Sequence, residues 1–350
     1  MGHVMRCLSI ADAAKSFDRS ITFLLADDTV LPLVHRRGYE AAVLGSDYQN
    51  MEDELDRWPQ KMPDIVIVDS YYVTPSYLWE LKKKTRGGKL VYIDGRLAFP
   101  YPVDIIVNYN AYGPEMNYSD LYASSKHKLP HLILGPAYAP LRPMFQGIPV
   151  RTQAETVQDV LISTGGADEL HLTLSILKYL NGRKDAADGT VYHILLGAMN
   201  SDREKIRALK KTQQNVILHE DVTDMKTLME SMDLAVSAAG STIYEICACG
   251  VPLITYSLAD NQIPGAEAFE RSGLAQNIGD LREPSSVISG AVVSGRLDRS
   301  AADRIFKAID QLSRDYRRRC EIGTKMQSLI DGFGADRMVK EILRAGNPGK

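Results

Sequence analysis

The stretch richest in chemistry runs Asp233–Leu–Ala–Val–Ser–Ala–Ala–Gly–Ser–Thr–Ile–Tyr–Glu–Ile–Cys–Ala–Cys–Gly–Val–Pro252. A buried strand enters Ala239–Gly240–Ser241–Thr242, and a helix starts there and stops at Gly250. Gly240 lets a ligand come close to the main chain. The first-turn N–H groups and the helix dipole then suit an anion, typically a phosphate. No lysine or arginine lies in the stretch, so a diphosphate would be held by backbone dipoles, with no need for a metal. Glu245 reads two ways. Thr242-x-x-Glu245 spells a capping box, and a carboxylate there can also accept both hydroxyls of a ribose. A second glycine turn, Ile162–Ser–Thr–Gly165–Gly166–Ala–Asp168, follows another strand. It could meet phosphates or a sugar, or be a tight turn with Asp168 as helix N-cap.

These residues need a scaffold, and the pattern around them supplies one. Short apolar runs alternate with helical stretches, which predicts α/β architecture with parallel sheets. Strands are expected at Ile21–Leu25, Ala41–Leu44, Ile65–Asp69, Leu90–Asp94, Ile105–Asn108 and His131–Leu134. A linker with two prolines and a glycine falls between Leu141 and Thr156. A second series follows at Val157–Ser163, Val191–Leu196, Val216–Leu218, Leu234–Ser237 and Leu253–Tyr256, and the chain is helical from Ala301. The expected domains are residues 1–145 and 155–332, two doubly wound Rossmann-like domains facing a cleft, with a helix and tail at 333–350. Ligands of such pairs collect at the strand carboxyl ends.

Composition removes several classes. The 350 residues are 45% hydrophobic and 24% charged, as in an ordinary globular protein. A net charge of −3 and a pI near 6.2 argue against a general grip on nucleic acid. No apolar run approaches the ~20 residues of a membrane span. Cys7, Cys247, Cys249 and Cys320 are too few for a disulfide framework and read as small buried side chains in a reduced, cytoplasmic setting. No metal site and no cofactor is implied. Tyr77–Leu78–Trp79, followed by Lys82, Lys83, Lys84 and Arg86, is either a solvated helix face with a buried aromatic flank or a surface for an anionic membrane.

Taken together, the motifs resemble a family. Gly2–His3–Val4–Met5–Arg6–Cys7–Leu8 is similar to the Gly-His-x-x-Arg signature of the UDP-2,4-diacetamido-2,4,6-trideoxy-β-L-altropyranose hydrolases of pseudaminic acid biosynthesis. Spore-coat polysaccharide proteins of the same type share it. The resemblance continues through Val68–Asp69–Ser70–Tyr71, Tyr92–Ile93–Asp94, Asn108–Tyr109–Asn110 and Leu134–Gly135–Pro136–Ala137–Tyr138–Ala139–Pro140–Leu141–Arg142–Pro143. It closes with the Gly240 segment and Ala259–Asp260–Asn261–Gln262. The wider superfamily includes the N-acetylglucosaminyl transferase that makes lipid II and has the glycosyltransferase-B fold.

The resemblance implies a hydrolase that releases a sugar and UDP. His3 would be the general base for the attacking water, a task an imidazole suits near neutral pH. Read from the residues alone, His3 is a polar neighbour of the N-cap on a helix whose buried stripe is Val4, Cys7, Leu8 and Ala11. Glu245 would bind ribose, Gly240, Ser241 and Thr242 the diphosphate, and Val222 would cover the uracil. Gly165 and Gly166 would line the same nucleotide. Arg6, Asp69, Tyr71, Asn261 and Gln262 would meet the sugar, although Asn261 also suits an N-cap. Two other functions fit the pattern: a glycosyltransferase of the same fold, and a sugar-nucleotide sensor that needs no His3.

Three departures stand out. Asp94–Gly95 replaces the family's usual Asp-Asp, Met144 stands where an acidic residue is common, and Met1 directly precedes Gly2. Family members place a strand and loop before that motif. The first strand of a doubly wound domain is normally central. Ile21–Leu25 and Ile65–Asp69 are therefore expected to flank a vacant strand position, with Met1 internal to a longer natural chain.

Overall fold

The computed structural model describes residues 2–182, 189–282 and 299–346. The chain divides into two compact units, Met1–Gln146 with Gly332–Lys350, and Gly147–Asp331.

Unit 1 begins with helix α1 (Gly2–Lys15), strand β1 (Thr22–Leu25), helix α2 (Leu31–Arg36) and strand β2 (Glu40–Val43). Strand β3 (Ile65–Val68), helix α3 (Pro75–Lys84), strands β4 (Lys89–Ile93) and β5 (Ile105–Asn108), helix α4 (Tyr118–Ala123) and strand β6 (His131–Leu134) follow. All pairings are parallel, but the strands form two sheets: β1–β2, and β3–β4–β5–β6. Among the described residues no ladder joins β1 to β3. The burial of the strands follows their place in the sheets. β5, paired on both sides, is buried throughout, whereas Ile67 on edge strand β3 is 38% exposed.

Two apolar clusters support these sheets. Leu8 and Ala11 of α1 pack with Leu25, Val34 and Tyr39. Tyr77, Leu78 and Leu81 of α3 pack with Val66, Val68, Leu90, Tyr92 and Ile106. Ser9, Ile10 and Ala13 are buried as well as Leu8 and Ala11. Helix α1 therefore lacks a simple single stripe, because it also packs against the last helix of the chain.

Unit 2 comprises β7 (Asp159–Ser163), α5 (Leu172–Gly182), β8 (Val191–Leu196), α6 (Arg203–Lys210), β9 (Val216–Glu220), α7 (Met225–Glu230), β10 (Leu234–Ala238) and α8 (Thr242–Ala248). It continues with β11 (Leu253–Ser257), α9 (Ile263–Arg271), β12 (Gln276–Asp280), α10 (Arg299–Arg314) and α11 (Tyr316–Leu329). One six-stranded parallel sheet has the order β12-β11-β10-β7-β8-β9. The order reverses at β7 and β10, which are neighbours. The apolar pattern does not announce β12, because Gln276–Asp280 is a polar edge strand that only pairing with β11 makes extended.

Helix α12 (Gly334–Gly346) returns the chain to unit 1. Its approach depends on glycine. A Cβ on Gly332, whose φ is +87°, would lie 2.0 Å from the Phe145 carbonyl oxygen, and one on Gly334 would lie 2.2 Å from that of Ala139. Met338, Val339 and Ile342 are then buried, and Arg337 Nε donates to the Ala137 carbonyl at 2.9 Å.

Candidate functional site

In unit 1 the sheet delivers Asp69 and Tyr71 just past the carboxyl end of β3, Asp94 and Gly95 past β4, and Tyr109 and Asn110 past β5. The first turns of α1 bring His3 and Arg6 to the same place. Arg6 grips Asp69 with two nitrogens: Nε donates to Oδ2 at 2.6 Å and Nη2 to Oδ1. Its Nη1 donates to the Tyr109 hydroxyl at 3.0 Å. His3 Nδ1 lies 2.9 Å from Asp69 Oδ1. Arg6 Nη2, which only donates, lies 3.0 Å from the same Nδ1, so that nitrogen faces a carboxylate that calls for its proton and a guanidinium that calls for its lone pair. The His3 ring meets Tyr71 edge-on, centroids 4.7 Å apart. The Asp69 side chain is 4% exposed and that of His3 38%. The dyad thus has a buried anchor and a half-open imidazole.

Burial alone would raise the Asp69 carboxyl. Hydrogen bonds from Arg6 and His3, with the guanidinium charge, outweigh it and hold the group below its ordinary value. Burial also works against the charged form of Arg6. Asp69 and Tyr109 reverse that and hold it above its ordinary value. Cys7 Sγ sits 3.4 Å from Asp69 Oδ2, and burial together with that carboxylate pushes it well up, so it stays a thiol. Arg6, Tyr71, Ile93, Asp94, Gly95, Tyr109 and Asn110 line a small polar pocket beside the dyad. Asp94 is 2% exposed and shapes this edge by accepting from Tyr101, Tyr118 and the backbone of Arg96 and Leu97. The sequence reading did not single out Tyr109, Asn110 or Asp94 as site residues. Their signal was the strand-end position shared with Asp69.

In unit 2 the Gly165–Gly166 turn and the Gly240–Ser241 turn end neighbouring strands, β7 and β10, and all four residues are exposed. A Cβ on Gly240 would meet nothing within 4 Å, so the backbone there is open to approach. Gly165 has φ of +93°. A Cβ on Gly197, just past β8, would lie 2.2 Å from the Gly166 carbonyl oxygen, so that glycine lets the first turn close. The Asp168 carboxylate accepts the Leu172 and Thr173 N–H groups at 2.9 Å each and caps α5. Burial raises Asp168 in spite of those bonds.

Ser241 is the N-cap of α8 but makes no capping hydrogen bond with its side chain, and Thr242 is the first helical residue. A capping box needs Thr242 at the N-cap and Glu245 at N3, so here that register is displaced by one. Val222 is half-buried on the turn before α7. Gln262 Oε1 accepts the Leu258 N–H at 2.8 Å, while Asn261 is exposed in a single helical turn ahead of α9. Two arginines on this edge are held by carboxylates, Arg203 by Glu220 and Asp221, and Arg282 by Asp260 and Asp280. The structure therefore gathers His3, Arg6, Asp69 and Tyr71 in unit 1. Gly165, Gly166, Val222, Gly240, Ser241, Thr242, Glu245, Asn261 and Gln262 belong to unit 2. Among the described residues no three His, Cys, Asp or Glu side chains are arranged to hold a metal ion. Among the described residues no helix is long and apolar enough to cross a membrane.

These two units of parallel α/β character define the glycosyltransferase-B fold. The Acinetobacter baumannii MurG structure superposes with a TM-score of 0.61 over 98% of this chain and 96% of that one, at 14% identity. The S. aureus MnaA–UDP structure does so with a TM-score of 0.61 over 98% and 93%, at 13% identity. Residues 160–299 match the family model of the glycosyltransferase family 28 C-terminal domain. Over 282 residues the chain is 25% identical to the spore coat polysaccharide biosynthesis protein SpsG of Bacillus subtilis, covering 80% of each chain. It is 24% identical over 267 residues to an uncharacterised protein of Methanocaldococcus jannaschii. That match takes 73% of this chain and spans about half, 52%, of the relative.

Proposed function

We propose that the protein hydrolyses a UDP-linked diacetamido-trideoxy sugar to free sugar and UDP. The observation that carries this reading is the His3–Asp69 dyad. Its Nδ1 faces the buried Asp69 carboxylate and the Arg6 guanidinium, and its Nε2 has no partner among the described residues. Such an imidazole is oriented to take a proton from water as the water oxygen attacks the anomeric carbon. The bond from that carbon to the UDP oxygen breaks, and its electron pair leaves with UDP. Asp69 then faces the imidazolium, and Arg6 keeps the carboxylate ionised and fixed. Tyr71, Asn261 and Gln262 contact the sugar. Gly240, Ser241, Thr242, Gly165 and Gly166 hold the diphosphate, Glu245 the ribose and Val222 the uracil. The similarity to SpsG supports a place in cell-surface or spore-coat polysaccharide synthesis.

The match to a glycosyltransferase C-terminal domain favours a second reading, in which an alcohol replaces water. One experiment separates the two. The protein is incubated with the UDP-sugar in ¹⁸O-water without acceptor, and both products are weighed by mass spectrometry. Hydrolysis predicts UDP release with one ¹⁸O in the sugar and none in UDP. Release that waits for an added saccharide acceptor overturns it in favour of transfer.

A further inference from the structure

We propose that the outer face of α3 and the loop before β6 form a docking surface for an anionic lipid bilayer. Helix α3 buries Tyr77, Leu78 and Leu81 and turns Trp79 outward, 47% exposed. The fold then sets a second segment, distant in sequence, against it. The His127 ring lies 5.5 Å from that of Trp79, and Leu129, two residues on, is 44% exposed. The same two segments are rich in cations. Residues 79–89 and 124–131 contain Lys82, Lys83, Lys84, Arg86, Lys89, Lys126 and Lys128 against the single carboxylate Glu80, in a chain of net charge −3. Lys83 reaches over the Trp79 ring, 5.9 Å from its centroid, and pairs with Glu80, while Lys82 pairs with Asp104. Arg86, Lys126 and Lys128 remain exposed.

The combination selects the partner. A hydrated polyanion would satisfy the cations and leave the tryptophan and leucine in water. A bilayer interface takes both: amphipathic Trp settles at headgroup depth, and lysines gather anionic lipid within a Debye length. Docking of this kind is peripheral. It holds whether water or an alcohol is the acceptor at His3, because none of these residues belongs to that site.

The test is co-sedimentation with vesicles of phosphatidylcholine alone and of phosphatidylcholine with phosphatidylglycerol. Each is run with wild type, Trp79→Ala, and the combined Lys83→Glu, Lys126→Glu, Lys128→Glu variant, with circular dichroism to show that each folds. Wild type should bind the anionic vesicles at least tenfold better than the neutral ones and lose that advantage in high salt. The charge-reversed variant should lose it at low salt, and Trp79→Ala should weaken it several-fold. In a Trp58→Phe background, Trp79 fluorescence should shift to the blue on binding. Equal partition onto both vesicles, or unchanged binding of the charge-reversed variant, overturns the proposal. So does binding of a nucleic-acid oligomer as tight as that of vesicles with no response to Trp79→Ala.

Discussion

At the scale of single residues the dyad makes the sharpest claims. His3→Asn is expected to cut turnover by ~10²–10⁴, the usual worth of a general base, while UDP affinity measured by calorimetry stays within a few-fold. Turnover within tenfold of wild type would remove His3 from the chemistry. Asp69 carries a stability prediction as well. Its carboxyl is held below its ordinary value by Arg6 and His3. It therefore contributes stability that is fully present above the unfolded carboxylate value of about 3.9, and this is lost as pH falls through the folded value. Asp69→Ala leaves the Arg6 guanidinium buried and unpaired, at a cost of about 3–5 kcal/mol. In denaturant melts the gap between wild type and Asp69→Ala should be wide at neutral pH and should narrow below about pH 4. A gap of constant width would mean that the aspartate acts through packing rather than charge.

At the scale of elements, two glycines separate folding from binding. A Cβ at Gly197 runs into the backbone of the Gly165–Gly166 turn. Gly197→Ala should therefore destabilise unit 2 by ~1–3 kcal/mol, as overpacking does, and weaken UDP by displacing the turn. Gly240→Ala meets open space. It should leave the melting temperature unchanged and still lower UDP affinity, because the methyl group stands where a phosphate would approach. If calorimetry shows UDP bound to Gly240→Ala as to wild type, the diphosphate lies elsewhere. The strand and turn pattern of this edge was legible in the sequence, since buried parallel strands read as short apolar runs. The Gly197 constraint was not, because it arises between two loops that only sheet pairing brings together.

At the scale of the whole molecule, the chain leaves unit 1 after residue 146 and returns to it as α12. Deleting residues 334–346 removes Met338, Val339 and Ile342 from the packing that covers α1. Thermal melts of that variant should lose the unit 1 transition, and UDP should still raise the transition of unit 2. A single transition shifted as one would show that the units do not melt separately. Much of the architecture was written locally. Apolar runs of four to six residues separated by helical stretches specify α/β layers, and the Gly240 and Gly165 turns specify exposed backbone at strand ends, because both depend on near neighbours in the chain. The tertiary structure decided what depends on distant ones. It placed Asp69 beside His3 and Arg6, sixty-odd residues away, and so turned the Nδ1 edge of the imidazole toward them. It set His127 and Leu129 beside Trp79. It made β12 a strand by pairing alone and split the strands of unit 1 into two sheets. Hydrogen bonds and charge pairs act over a few ångströms of space, and a sequence orders residues only along the chain.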